Sequence, residues 1–149
     1  MTLFVPGKLT NPLNGSWGGW RKHATQAKRW RDRTALAVYQ ACAGRRTPAD
    51  LWPPERRKVV TFDVQTWNHW DDDALPAACK PLRDELIKVG LIHSDASTSG
   101  HRFLYRQTMQ RAHRGQQRGV TITVVPLLED SPAPRESAES EGSGKRRDR

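Results

Sequence analysis

Cysteine, phenylalanine, tyrosine and methionine are all scarce in this chain of 149 residues, which has two Cys, three Phe, two Tyr and two Met. Cys42 and Cys79 lack CxxC spacing and paired histidines, which excludes a disulfide framework and a thiolate zinc site. They are expected as reduced, partly buried thiols of a cytosolic protein. Long hydrophobic runs are also missing. No stretch approaches the ~20 apolar residues of a spanning helix. The opening Met1-Thr2-Leu3-Phe4-Val5-Pro6 is too short for a secretory signal, and the residues after Pro6 are too polar to extend it. The expected location is the cytoplasm. Apolar residues make up 36% of the chain, enough for one modest core and not two.

Positive charge is what the sequence has in excess. Lys and Arg number 25 against 16 Asp and Glu, a formal charge of +9. The segment 129–149 holds five basic and six acidic residues, which leaves 20 and 10 in residues 1–128. A compact domain with that surplus repels itself unless a polyanion is near, and nucleic acid is the usual partner. Segment 129–149 itself has no large apolar residue and is expected to be a disordered tail. The division is thus one folded domain, 1–128, and a tail, 129–149.

Residues 2–6 read as a first strand. From 23 to 43, Ala27, Trp30, Thr34, Ala37, Val38 and Ala41 recur at the spacing of one helix face, with Gly44 as the stop. Residues 58–67 form the clearest strand, Val60, Phe62 and Val64 alternating with Thr61, Asp63 and Gln65. A second helix is expected over 75–89 on the stripe Leu75, Cys79, Leu82, Leu86 and Val89. Pro76 suits its first turn, Pro81 should kink it or change its register, and Gly90 should end it. Residues 102–109 and 119–126 read as a closing pair of strands joined by a hairpin loop. The fold class is therefore α+β: a single domain with a mixed β-sheet and two main helices packed on it.

The most informative segment is Trp70-Asp71-Asp72-Asp73-Ala74-Leu75. Three successive carboxylates on a strongly basic protein lie just after the clearest strand and just before a helix. In extended chain, alternate residues point the same way, so Asp71 and Asp73 can converge while Asp72 faces away. Two such oxygen ligands suit Mg²⁺. A helix N-cap is the plainer explanation, but one capping Asp needs no acidic neighbours. Downstream, Lys80 and Asp84 lie four apart on one helix. Then the apolar stretch Gly90-Leu91-Ile92-His93-Ser94-Asp95 ends in a lone carboxylate that can fold back towards the first pair.

This arrangement resembles the RusA family of Holliday-junction resolvases. The family shows Asp-x-Asp-Asn after a strand, then a helix with Lys and an Asp four residues on, then Gly, then an Asp pair. The matching positions here are Asp71-Asp72-Asp73-Ala74, Lys80, Asp84, Gly90 and Ser94-Asp95. The opening Val5-Pro6-Gly7-Lys8-Leu9-Thr10-Asn11 and the basic helix after it are similar too, so the likeness spans roughly residues 2–126. Ala74 stands where the family has Asn, and Ser94 where it often has a first Asp.

The resemblance implies a Mg²⁺-dependent endonuclease that resolves Holliday junctions and other branched DNA, acting in recombination and repair in a phage or prophage setting within a bacterial cell. Asp71, Asp73 and Asp95 would hold one or two Mg²⁺ ions, with Mn²⁺ as a substitute. Lys80 would contact the phosphate or orient the attacking water. The near two-fold symmetry of a four-way junction calls for a homodimer. The DNA-binding candidates are Arg21, Lys22, Lys28, Arg29 and Arg33 in the first helix and its lead-in, and Arg111, Arg114 and Arg118 in the last loop. Trp30 belongs to the core by its spacing. Trp67 and Trp70 flank the acidic run and are expected to pack first, to stack on DNA second. The competing expectation is a non-catalytic nucleic-acid-binding protein on the same fold. A nuclease for flaps or other forks is a third.

Overall fold

The computed structural model describes residues 1–10, 19–42, 53–54, 56–109 and 117–127. The elements in chain order are β1 (Thr2–Pro6), α1 (Gly19–Ala41), β2 (Lys58–Thr66), α2 (Ala74–Ala78), α3 (Lys80–Lys88), a 3₁₀ turn (Ser97–Ser99), β3 (Arg102–Met109) and β4 (Gly119–Pro126). The architecture is α+β, with four strands in the order β1-β4-β2-β3. β4 runs antiparallel to both β1 and β2, and β3 runs parallel to β2.

Period-two patterning produces one buried sheet face. Along β2, Lys58, Val60, Phe62, Val64 and Thr66 are buried and the residues between them half-buried. Register carries that face across the sheet. Leu3 pairs with Ile122, Ile122 with Phe62, and Phe62 with Tyr105. The next row runs from Val5 through Val120 and Val64 to Gln107. Both rows are apolar through three strands and turn polar only at β3, the sheet edge. Over this face lie Trp30 and Val38 of α1, Leu75 and Ala78 of α2, and Leu82 and Leu86 of α3. Each buried Val, Leu, Ile or Phe contributes about 1.5–3 kcal/mol relative to exposure, so the face itself holds the domain together.

The helical expectations hold with three changes. On α1, Trp30, Thr34, Ala37 and Val38 are buried, but Ala41 is exposed and Cys42 takes its place. The helix begins at Gly19, earlier than residue 23. The second helix is two: α2 and α3 meet at Cys79, with Pro81 in the first turn of α3. A proline inside a continuous helix would lose a hydrogen bond and clash with the preceding turn; restarting the helix removes both penalties. Gly90, at φ 76°, ends α3 as expected. The Gly90 N–H donates to Ile87 O at 3.0 Å and the Leu91 N–H to Leu86 O at 2.9 Å. This left-handed cap satisfies the last helix carbonyls.

The closing strands are not a hairpin. β2 lies between β3 and β4, and β3 pairs only with β2. Alternation says which side of a strand is buried, not which strand lies beside it. A parallel pair needs a crossover connection, and α2, α3 and the 3₁₀ turn supply it between β2 and β3. The carboxyl ends of β2 and β3 therefore lie side by side, Thr66 opposite Met109. The Gly44 stop, the loop 110–116 and the segment 129–149 lie outside the described residues.

Candidate functional site

Where β2 ends, the chain leaves the sheet through Trp67, Asn68, His69 and Trp70 and enters the acidic run. Gln107 on β3 clamps this exit. Its side-chain oxygen accepts the Trp70 N–H at 2.9 Å, and its amide donates to the Trp70 carbonyl at 2.9 Å. The same amide lies 3.1 Å from His69 Nε2. Both backbone groups of Trp70 are thus held by one side chain, which fixes where the following aspartates start.

The acidic run is a turn and not extended chain. The Ala74 N–H donates to Asp71 O at 3.0 Å, and Asp73 has right-handed helical angles (φ −78°, ψ −22°). The alternation expected to bring Asp71 and Asp73 together does not operate in such a turn. All three aspartates are exposed. Asp73 occupies the N-cap position of α2 but makes no side-chain capping hydrogen bond. Capping therefore leaves its presence unexplained. Ala74 is fully buried, so an amide side chain there would need a partner inside the core.

Asp95 is reached through Arg83. Arg83 Nη2 stands 3.8 Å from Asp95 Oδ2, and Nη1 donates to the Tyr105 hydroxyl at 2.8 Å. The guanidinium also lies over the rings of Phe103 and Tyr105. Tyr105 in turn stacks on Phe62 at 5.4 Å between centroids. Burial pushes the Tyr105 phenol above its ordinary range, with Arg83 pulling the other way. It stays a neutral hydroxyl, which suits a partner of Arg83. Cys79 beneath them is pushed up to about 12 by burial, offset in part by Arg83, so its thiol is inert.

Tyr105 and Gln107 are neighbours on one face of β3, about 7 Å apart for a rise of ~3.3 Å per residue. One holds the Asp95 segment through Arg83, and the other holds the Asp71 segment through Trp70. Sequence reading missed all three of Arg83, Tyr105 and Gln107. Arg83 was detectable only as a cation on the half-buried flank of α3, one residue before Asp84.

Among the described residues, no group of three or more His, Cys, Asp and Glu side chains stands close enough to hold a metal ion. The expected set Asp71, Asp73 and Asp95 is not gathered to that degree, and Asp95 faces a guanidinium. The chemistry of the donors still fits a hard cation: three carboxylates, two exposed and one half-buried. Lys80 is exposed and pairs with Asp84 at 3.2 Å, which Arg31 of α1 also meets at 3.6 Å. Asp84 thereby ties α1 to α3.

His69 is exposed beside Gln107, and His93 lies at the other end of the strand pair. There His101 Nδ1 accepts the Lys58 N–H at 3.2 Å, and His101 Nε2 is 3.1 Å from His93 Nδ1. Of the DNA-binding candidates, Lys22, Lys28, Arg29 and Arg33 are exposed on α1. Arg118 lies over Trp67, 3.6 Å from its ring centroid. Trp30 is in the core as expected, and Trp70 packs partly against that core. Trp67 departs from the expected packing and is 54% exposed. Arg111 and Arg114, and the side chain of Arg21, lie outside the described residues. No helix among the described residues is long and apolar enough to cross a membrane. No protein-family model matches the chain, and no curated protein matches it.

Proposed function

We propose that this protein is a Mg²⁺-dependent endonuclease of the RusA type that hydrolyses phosphodiester bonds in branched DNA, four-way junctions foremost. The observation that supports this best is the shared anchorage of the two acidic segments on Tyr105 and Gln107, adjacent same-face residues of β3. Carboxylates that lie 22 residues apart in sequence are thereby tied to one short stretch of strand edge. The acidic turn follows closely on the carboxyl end of β2, beside that of β3. Strong positive charge over the rest of the domain supplies the attraction for DNA.

Asp71, Asp73 and Asp95 are the residues that would hold one or two Mg²⁺ ions. Mg²⁺ bound there supplies an activated water and relief of charge at the scissile phosphate. Lys80 meets a phosphate oxygen. Arg83 holds Asp95, and Gln107 holds the start of the acidic turn through Trp70. Lys22, Lys28, Arg29 and Arg33 meet phosphates away from the cut. A homodimer would present two such sites to the two strands that a junction must have cut.

A second reading, a nucleic-acid-binding protein without catalysis, is favoured by the pairing of Asp95 with Arg83. Incubation of the purified protein with a synthetic four-way junction separates the two. Paired nicks that appear with Mg²⁺ and vanish with EDTA are expected. Tight junction binding with no cleavage in Mg²⁺ or Mn²⁺ would overturn the nuclease reading in favour of the second.

A further inference from the structure

Beside the acidic turn, where Trp67 to Trp70 leave β2, the structure has a cavity of about 480 Å³. That volume lies within the range of about 300–1,000 Å³ usual for small-ligand sites. Its walls combine three chemistries. Trp67 and Trp70 supply aromatic surface, Lys8 and Arg118 supply positive charge, and Gln65 and Thr66 supply hydrogen-bonding groups. A second cavity of about 250 Å³ adjoins it, sharing Lys8 and Arg118 and adding Arg33 and Gln117.

Two features distinguish this corner. Thr66 is 4% exposed, and its hydroxyl has no hydrogen-bond partner. A buried hydroxyl without a partner is uncommon, because desolvation then goes uncompensated. Thr66 borders the larger cavity, but its hydroxyl is itself shut off from solvent and so from an occupant. The second feature is the plate that Arg118 and Trp67 make. The guanidinium lies 3.6 Å from the ring centroid. The backbone around it is pinned: Arg118 O accepts the Gly7 N–H at 2.8 Å, and Gln65 Oε1 accepts the Gly119 N–H at 3.0 Å. Gly7 has φ 141°, and a Cβ there would meet the Arg33 guanidinium, so this corner is closely packed. Arg33 Nη1 is steadied by Pro6 O at 3.0 Å.

A flat cationic–aromatic plate, a polar floor and a cationic annex together match a flat heteroaromatic ring joined to a phosphate. We propose that the cavity takes one unpaired nucleotide of a DNA strand, its base stacked in line with Trp67 and Arg118, its phosphate between Lys8 and Arg33. The proposal deepens the reading of the protein as a branched-DNA nuclease and rests on it for the choice of DNA as ligand. Base pairs at a branch point lack the continuous stacking of a duplex, so a nucleotide there is unpaired at lower cost. The cavity would therefore discriminate branched from linear DNA next to the acidic turn.

The test is made in EDTA, so that cleavage plays no part. Fluorescein-labelled (dT)₆ and a six-residue abasic strand with the same phosphates are titrated by anisotropy. The wild type should bind (dT)₆ roughly tenfold more tightly, the range expected for one stacked base. Trp67→Ala should erase that preference and keep the abasic affinity, while Trp67→Phe should retain most of it. Lys8→Ala should weaken both strands alike and reduce the salt slope by about 0.7. Equal wild-type affinity for the two strands, or an undiminished preference in Trp67→Ala, would overturn the proposal. Either result leaves the nuclease reading standing. Absent junction cleavage in Mg²⁺ would remove the nuclease reading and leave a positive strand preference intact.

Discussion

The two ends of the β2–β3 pair are built in opposite ways. At the amino end, Lys58 is 1% exposed, its Nζ donating to Pro53 O and its backbone N–H to His101. His93 closes over His101, and each polar group meets another within the chain. At the carboxyl end, Thr66 is equally buried, yet its hydroxyl is left without a partner. Trp67 is exposed, three aspartates stand in water, and a cavity opens beside them. Burial is similar at both ends, but only one is finished internally. Unfinished polar chemistry costs stability.

The comparison can be broken at several points. The largest effect is expected at the carboxyl end, from Asp71→Asn. Junction cleavage in Mg²⁺ should be abolished, while junction affinity holds or rises because a charge that repels phosphate is gone. The melting temperature should not fall, since the side chain is exposed. Full cleavage by this variant, measured on the same synthetic junction, would dissociate the acidic turn from activity.

Lys58→Ala should do the reverse. It removes the donor to Pro53 O and should cost about 1–3 kcal/mol in urea denaturation. Cleavage at a temperature where the variant is folded should match the wild type. A large activity loss in the folded variant would mean that the two ends are coupled.

Gln107→Ala falls between these. It deletes two hydrogen bonds to Trp70 and should cost about 1–2 kcal/mol. Because the acidic turn then loses its anchor, cleavage should drop well below what the stability loss explains. Gln107→Glu keeps one acceptor for the Trp70 N–H and should retain more activity than the alanine. Equal cleavage by the two variants would argue against anchorage.

The smallest effect concerns the amino end and pH. Burial, with His93 and Lys58 adding to it, holds His101 below its ordinary value of 6.5. The unfolded chain therefore takes up a proton that the folded chain resists. The stability from neutral His101 is complete above about pH 6.5 and is lost as pH falls through and below that value. Melting temperatures should decline from pH 7 to pH 5, and His101→Gln should flatten that decline. An unchanged profile would show that the His101–His93 contact carries no linkage.

The carboxyl end is also where sequence reading was least complete, for a physical reason. Strands β1, β3 and β4 were legible to the residue, because alternation is a local property of half-buried chain. The stripe Trp30, Thr34, Ala37 and Val38 was legible for the same reason at helical spacing. Pro81 marked a kink or change of register, although not that two separate helices would result. The acidic run was conspicuous by charge alone. Its conformation was not, because three aspartates suit an extended exit and a helical turn alike. Trp67 read as a packing residue by type, and nothing local shows that Arg118, far along the chain, takes its face.

By itself, then, the sequence determined the alternation and spacing of apolar residues, the stop at Gly90, the basic charge of the domain and the run Asp71-Asp72-Asp73. These are properties of neighbours along the chain, set by side-chain period and backbone preference. Only the tertiary structure decided that β2 separates β3 from β4, that Gln107 clamps Trp70, that Arg83 joins Asp95 to Tyr105, and that Arg118 lies on Trp67. Each of these depends on strand order and register. A strand's pattern constrains its two faces, whereas its neighbours are chosen by how the whole set of buried faces packs at once.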